Sequence, residues 1–175
     1  MNISQIKAGN DVPNEINVII EIPAGANPVK YELDKDSGAL FVDRMLNTSM
    51  VYPYNYGFIP NTLSLDGDPA DVLVISSMPV VHGCVIKCRP IGVLLMEDEA
   101  GKDEKIICLP TTKIDSYFAD INEIDQLPQI VKDRINHFFE HYKDLEKGKF
   151  VKISGWKNSS VAKQLINESI DNFNK

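Results

Sequence analysis

Apolar and polar positions along the chain change period once. Up to about Leu109 the apolar residues fall in short runs broken by Pro, Gly, Asn and Asp, which is the pattern of strands joined by turns. Val18-Ile19-Ile20-Glu21-Ile22 reads as one strand, Val29 to Leu33 as a second and Leu40 to Arg44 as a third. Asp71 to Ile75 follows a turn, Val85 to Met96 is one long strand or two broken near Pro90 and Gly92, and Lys105 to Leu109 comes next. Phe150 to Ile153 is a late strand. Beyond Pro128, a residue suited to a first helical turn, Ile130, Val131, Ile135, Phe138, Phe139, Tyr142 and Leu145 recur at helical spacing until Gly148. A second helix, capped by Ser159 or Ser160, carries Val161, Leu165, Ile166, Ile170 and Phe173. Many short strands with late helices predict a mainly β, α+β fold: a small closed barrel with helices packed outside it.

The chain has 175 residues, enough for one domain with a real core, and 43% are apolar. No repeat or linker divides it, so residues 1–175 are expected to form a single domain. No apolar run reaches the roughly 20 residues of a membrane helix, and Met1 to Asn10 lacks a signal-peptide pattern. Cys84, Cys88 and Cys108 are odd in number and sit among apolar residues, which suits reduced thiols and a cytoplasmic setting. The net charge of -7, with Lys and Arg scattered, argues against nucleic acid as a partner. An acidic protein can still act on a polyanion if metal ions sit between the two.

That possibility gives meaning to Asp66-Gly67-Asp68-Pro69-Ala70-Asp71-Val72, where three carboxylates crowd a turn stiffened by Gly67 and Pro69. Such charges repel unless a cation lies among them, and hard oxygen donors on a tight loop suit Mg²⁺. An EF-hand is excluded: counted from Asp66, its sixth and twelfth positions hold Asp71 and Ser77 rather than Gly and Glu. A second acidic turn, Glu97-Asp98-Glu99-Ala100-Gly101-Lys102-Asp103, lies between two strands. Each cluster alone reads most simply as a solvated turn; together they could share one site.

Candidates for holding an anion are less specific. Alternation puts Lys30 and Glu32 on one strand face, and Glu21 breaks an apolar strand, for which the wet face is the simplest reading. Arg44 ends the third strand. Tyr52, Tyr54 and Tyr56 alternate, and Tyr142-Lys143 on the first predicted helix would add a hydroxyl and a cation. A phenol can bury its ring and offer its OH to a phosphate oxygen. His137-Phe138-Phe139-Glu140-His141 fits a zinc-binding H-x-x-E-H pattern, but with no third ligand evident it reads as helix packing or a subunit contact.

Taken in order, these motifs resemble the soluble family I inorganic pyrophosphatases of the bacterial type. The resemblance runs from about Glu21 to Trp156 through Glu21-Ile22-Pro23, Lys30-Tyr31-Glu32, Asp43-Arg44 and Tyr52-Pro53-Tyr54-Asn55-Tyr56-Gly57. It continues through the Asp66–Val72 turn, Asp98-Glu99-Ala100-Gly101, Asp103, Lys105 and His137 to Lys143. The one departure is Ala70, where the family usually has a larger aliphatic residue.

The resemblance implies an OB-like five-stranded closed barrel with flanking helices, a homohexamer, and hydrolysis of pyrophosphate with several Mg²⁺ ions, for which Mn²⁺ could substitute. It implies that Asp66, Asp71, Asp98 and Asp103 hold metal and that Asp68 accepts the proton of the attacking water. Lys30, Arg44, Tyr56, Tyr142 and Lys143 would bind phosphate, supported by Glu21, Glu32, Tyr52, Glu99 and Lys105. The competing expectation is a non-enzymatic OB-type binding module, whose basic groove the net charge disfavours.

Overall fold

The computed structural model describes residues 2–175. Its centre is a sheet closed on itself. Strands β1 (Ile16–Ile22), β4 (Asn55–Phe58), β5 (Asp71–Val74), β8 (Lys105–Pro110) and β6 (Val85–Asp98) pair in that order, and β6 returns to β1. Five strands therefore form a ring, the arrangement expected of an OB-like fold. All pairings in the ring are antiparallel except β5 with β8, where Val72 lies opposite Ile106. Closure leaves little room for polar positions: β1 is buried at Ile16 and again from Val18 through Ile22, and β8 is buried throughout.

Two short extensions leave the ring along β6. The two-residue strand β7 (Gly101–Lys102) folds back on Glu97 and Asp98, and β9 (Val151–Asn158) pairs antiparallel with β6 from Gly92 to Asp98. The remaining strands, β2 (Val29–Leu33) and β3 (Leu40–Met45), form a separate two-stranded sheet. Helix α1 (Gln129–His141) buries Ile135, Phe138 and Phe139 in a cluster with Tyr52, Tyr56, Leu73 and Leu94. Helix α2 (Ser159–Phe173) buries Ala162 and Ile166 in a second cluster with Val18, Val72, Val93 and Cys108.

Several predicted boundaries need correction. The first helix pattern ends at His141, not near Gly148; Leu145 lies beyond the helix and is exposed. Pro128 precedes that helix instead of opening it, and Asn158, not Ser159 or Ser160, caps α2, accepting the Val161 N–H on its side chain. The late strand extends five residues past Ile153 to Asn158. Strand β4 was not anticipated. Its centre, Gly57, passes so close to β1 that a Cβ there would run into the Ile19 carbonyl oxygen, which is why no side chain fits. Pro90 and Gly92 do not break β6 but produce a register shift against β8.

Candidate active site

The turn from Ser64 to Asp71 is built by short-range bonds. The Asp68 N–H donates to Asp66 Oδ1 at 3.0 Å, and the Ser64 N–H donates to the Asp68 carbonyl at 2.7 Å. Gly67 takes φ +91°, a conformation costly for other residues. The Ala70 N–H donates at 2.9 Å to the buried Thr62 hydroxyl, which donates in turn to the Ile59 carbonyl. The turn is thus pinned to the ring just before Asp71 enters β5.

The second acidic turn is a hairpin. The Ala100 N–H donates to Asp98 Oδ1 at 2.8 Å, Gly101 has φ +122°, and the Asp103 N–H returns to the Met96 carbonyl at 3.0 Å. The two turns do converge. Asp66, Asp68, Asp71, Asp98 and Asp103 line one cavity of about 340 Å³. Lys30, Arg44, Tyr52, Tyr56, Lys105, Tyr142 and Lys143 line it too, with Lys102 and Lys149.

The cations are held by acidic neighbours. Lys30 and Arg44 face each other across β2 and β3. Lys30 pairs with Glu32 and lies 3.3 Å from Asp43, whereas Arg44 donates to Asp43 at 2.6 Å and to Glu146 at 3.3 Å. Lys143 donates to Asp98 at 2.7 Å and lies 3.6 Å from Glu99, which also pairs with Lys149. Lys105, whose side chain is 4% exposed, donates to both Asp71 and Asp103. Its burial works against the ammonium, but the two carboxylates outweigh that and hold its pKa above the usual lysine range.

The carboxylates answer differently to this setting. Burial raises the Asp66 carboxyl, and the charges of Asp71 and Asp68 add to the effect. Burial likewise raises Asp103; Lys105 opposes it and Asp71 adds to it. For Asp98 the raising effect of burial is outweighed, mainly by Lys143, and the group lies below the usual range. The Tyr56 phenol is raised well above its ordinary value by burial and then by Asp71, so it stays a neutral donor. Tyr142 is also raised by burial, although Lys143 and Lys105 work against it.

Not every predicted residue reaches this cavity. Glu21 is not on a wet face: it is 5% exposed, accepts the Leu33 N–H at 2.7 Å, and burial lifts its pKa to about 7. Both faces of β1 are covered, so the alternation that suggested solvent does not apply. Glu21 and Glu32 line an adjoining chamber of about 80 Å³ that shares Lys30, Tyr56, Asp68 and Asp71 with the main one. Glu99 is exposed and serves as a partner for Lys143 and Lys149. Sequence reasoning missed Lys149 and Lys102 as lining residues, and Glu146 as the partner of Arg44. The rings of His137 and His141 lie 4.7 Å apart, and His141 bonds Asp144 at 2.8 Å.

The profile of the inorganic pyrophosphatase family matches residues 18–174. The chain belongs to the inorganic pyrophosphatase family. It is 64% identical over 165 residues to the inorganic pyrophosphatase of Rickettsia felis, covering 94% of each chain. It is 56% identical over 174 residues to that of Xanthomonas campestris, covering 99% of this chain and 98% of the relative. The crystal structure of the inorganic pyrophosphatase from Thermus thermophilus superposes with a TM-score of 0.94 at 41% identity, and each chain is covered completely. Membership makes the chain an enzyme and implies a divalent metal cofactor.

The residues fit such an ion by donor chemistry. The five aspartates of the cavity offer only hard carboxylate oxygens, and burial, with a smaller addition from neighbouring carboxylates, makes the charged forms of Asp66 and Asp103 costly without a cation beside them. Among the described residues no three such groups are gathered as a metal cluster, and Lys105 donates to both Asp71 and Asp103.

Proposed function

We propose that this pyrophosphatase splits inorganic pyrophosphate into two phosphates with Mg²⁺ held by Asp66, Asp71, Asp98 and Asp103. The observation that carries the reading is the single cavity in which five aspartates face Lys30, Arg44 and Lys143 together with three buried tyrosines. A small polyanion bound through metal needs both halves of such a lining.

Divalent metal supplies charge neutralisation and an acidified water when bound. The protein's own part is positioning. Lys30, Arg44 and Lys143 draw in the phosphate oxygens and offset the charge that builds on the leaving phosphate. Tyr56 and Tyr142 donate neutral hydrogen bonds that orient those oxygens, with Tyr52 packed 5.1 Å from the Tyr56 ring. Asp68, on the exposed crest of the turn, orients the attacking water and accepts its proton. The water oxygen bonds to one phosphorus as the bridging P–O bond breaks, giving two phosphates. Glu21, Glu32 and Glu99 shape the field around the site through Leu33, Lys30 and Lys149.

The test is phosphate release from pyrophosphate by the purified protein with Mg²⁺, with Mn²⁺ and with excess EDTA. Rapid release that EDTA abolishes is expected. No release with either metal from folded protein would move the reading to a binding module. We also infer a homohexamer in the cytoplasm. Exposed Met78, Val81 and Val85 give subunits an apolar surface to share, and three unpaired thiols suit a reducing compartment. Light scattering checks the first: a monomer mass overturns it.

A further inference from the structure

Lys30, Lys105, Lys143 and Lys149 all line the site and touch carboxylates, but Lys105 differs from the others in where its ammonium can go. Lys30 is paired on the separate β2–β3 sheet, and Lys143 reaches the hairpin from beyond α1. Lys105 begins β8, and its stem runs through buried surroundings to an Nζ that lies 5.7 Å from the centre of the Tyr56 ring. At that point it donates to Asp71, at the start of β5, and to Asp103, on the approach to β8. Among the described residues no other lysine bridges two of the carboxylates assigned above to metal. The ammonium cannot retract into water without leaving both unpaired, and an unpaired buried charge is costly.

We propose that Lys105 is a resident counter-ion of the metal site, balancing Asp71 and Asp103 in the metal-free protein and sharing them when a divalent cation binds. This rests on the reading that the aspartates hold metal. The electrostatics follow directly. Asp71, Asp103 and Lys105 together carry one net negative charge, against two for the carboxylates alone, so the lysine lowers the pull on an incoming cation. Coupling of this kind is reciprocal: the part of the lysine's pairing that weakens when metal binds, together with its repulsion of the cation, is subtracted from metal affinity. The protein keeps its turns assembled without metal and binds metal less tightly than its carboxylates would allow.

The experiment compares the wild type with Lys105→Met, which keeps the stem and removes the charge, and with Lys105→Arg, which keeps the charge. Thermal melting in EDTA and calorimetric titration with Mg²⁺ are the readouts, neither of which uses pyrophosphate. Lys105→Met is expected to melt lower without metal and to bind Mg²⁺ about tenfold more tightly, with Lys105→Arg close to the wild type. Unchanged or weaker Mg²⁺ binding by Lys105→Met overturns the proposal. Should that variant not fold without metal, the ¹⁵N signal of the Lys105 ammonium in the wild type replaces it. Mg²⁺ is expected to shift that signal and to speed exchange of its protons with water, and a signal indifferent to Mg²⁺ overturns the proposal. A wild type that releases phosphate with Mg²⁺ while Lys105 shows no effect sinks this inference alone. A wild type that binds no Mg²⁺ sinks it together with the metal reading.

Discussion

Lys143 Nζ donates to Asp98 Oδ2 at 2.7 Å, and the two side chains are only 8% and 11% exposed. The bond ties the segment after α1 to the acidic hairpin, residues 45 positions apart in the chain. Both partners line the cavity, so the same bond positions a cation and a carboxylate of the site.

Lys143→Met should therefore do two things. It leaves Asp98 without its charged partner, which is expected to cost about 1–3 kcal/mol of stability. It should also lower phosphate release by about a hundredfold, as loss of one well-placed charge donor does. Urea unfolding and steady-state rates check these separately, and hydrogen exchange should quicken at Asp98 to Asp103.

Asp68 and Asp71 should behave differently although they are three residues apart. Asp71→Ala is expected to lose Mg²⁺ binding and turnover together. Asp68→Ala should retain Mg²⁺ binding and lose at least about a hundredfold in turnover. Titration calorimetry beside a rate assay separates the two, and normal turnover by Asp68→Ala would remove its role as proton acceptor.

Glu21 makes stability depend on pH in a stated direction. Its carboxyl holds a proton up to about pH 7 in the folded chain, against an ordinary value of 4.5. Between those values the folded state binds more protons than the unfolded state. Its contribution is thus fully present below about pH 4.5 and is lost as pH rises to 7. Denaturation of metal-free protein at pH 5 and pH 8 should show the wild type losing on the order of 1–3 kcal/mol relative to Glu21→Gln.

Gly57→Ala should be among the most damaging small substitutions. The added methyl meets the Ile19 backbone, not a side chain that could swing away. A cost of about 3 kcal/mol or more, read as a lower melting temperature, is expected from forcing β1 and β4 apart. Ala70→Val should do the opposite. Ala70 lines a cavity of about 60 Å³ between the aspartate turn and α2, bordered by Leu63, Ile106 and Leu165. Filling part of it is expected to add about 1 kcal/mol of stability with turnover preserved.

These residues also mark what was legible beforehand. Strands with apolar runs, such as β1 and β8, announce themselves because both faces are buried. Strand β4 did not, since Tyr-Gly-Phe carries no apolar run and its pairing depends on a contact with Ile19 that only the closed ring creates. The aspartates were legible as a turn from Gly67 and Pro69, but their meeting with Asp98 and Asp103 is a long-range event. Glu21 was misread for the same reason: alternation describes one strand, whereas burial depends on what other strands place over it. Lys149 and Glu146 gave no local signal, as each acquires its part through a partner more than 45 residues away.

The β2–β3 hairpin has a mechanical meaning beyond its two cations. Lys30 and Arg44 ride on a sheet that shares no ladder with the ring, whereas Asp71 and Lys105 are fixed within it. The hairpin is therefore joined to the rest of the chain by contacts other than a shared ladder, among them the Leu33 N–H bond to the Glu21 carboxyl of β1 and the Arg44 bond to Glu146. One wall of the cavity hangs on side chains and the other on a continuous backbone ladder, so a single side-chain substitution can displace the first without unzipping the second.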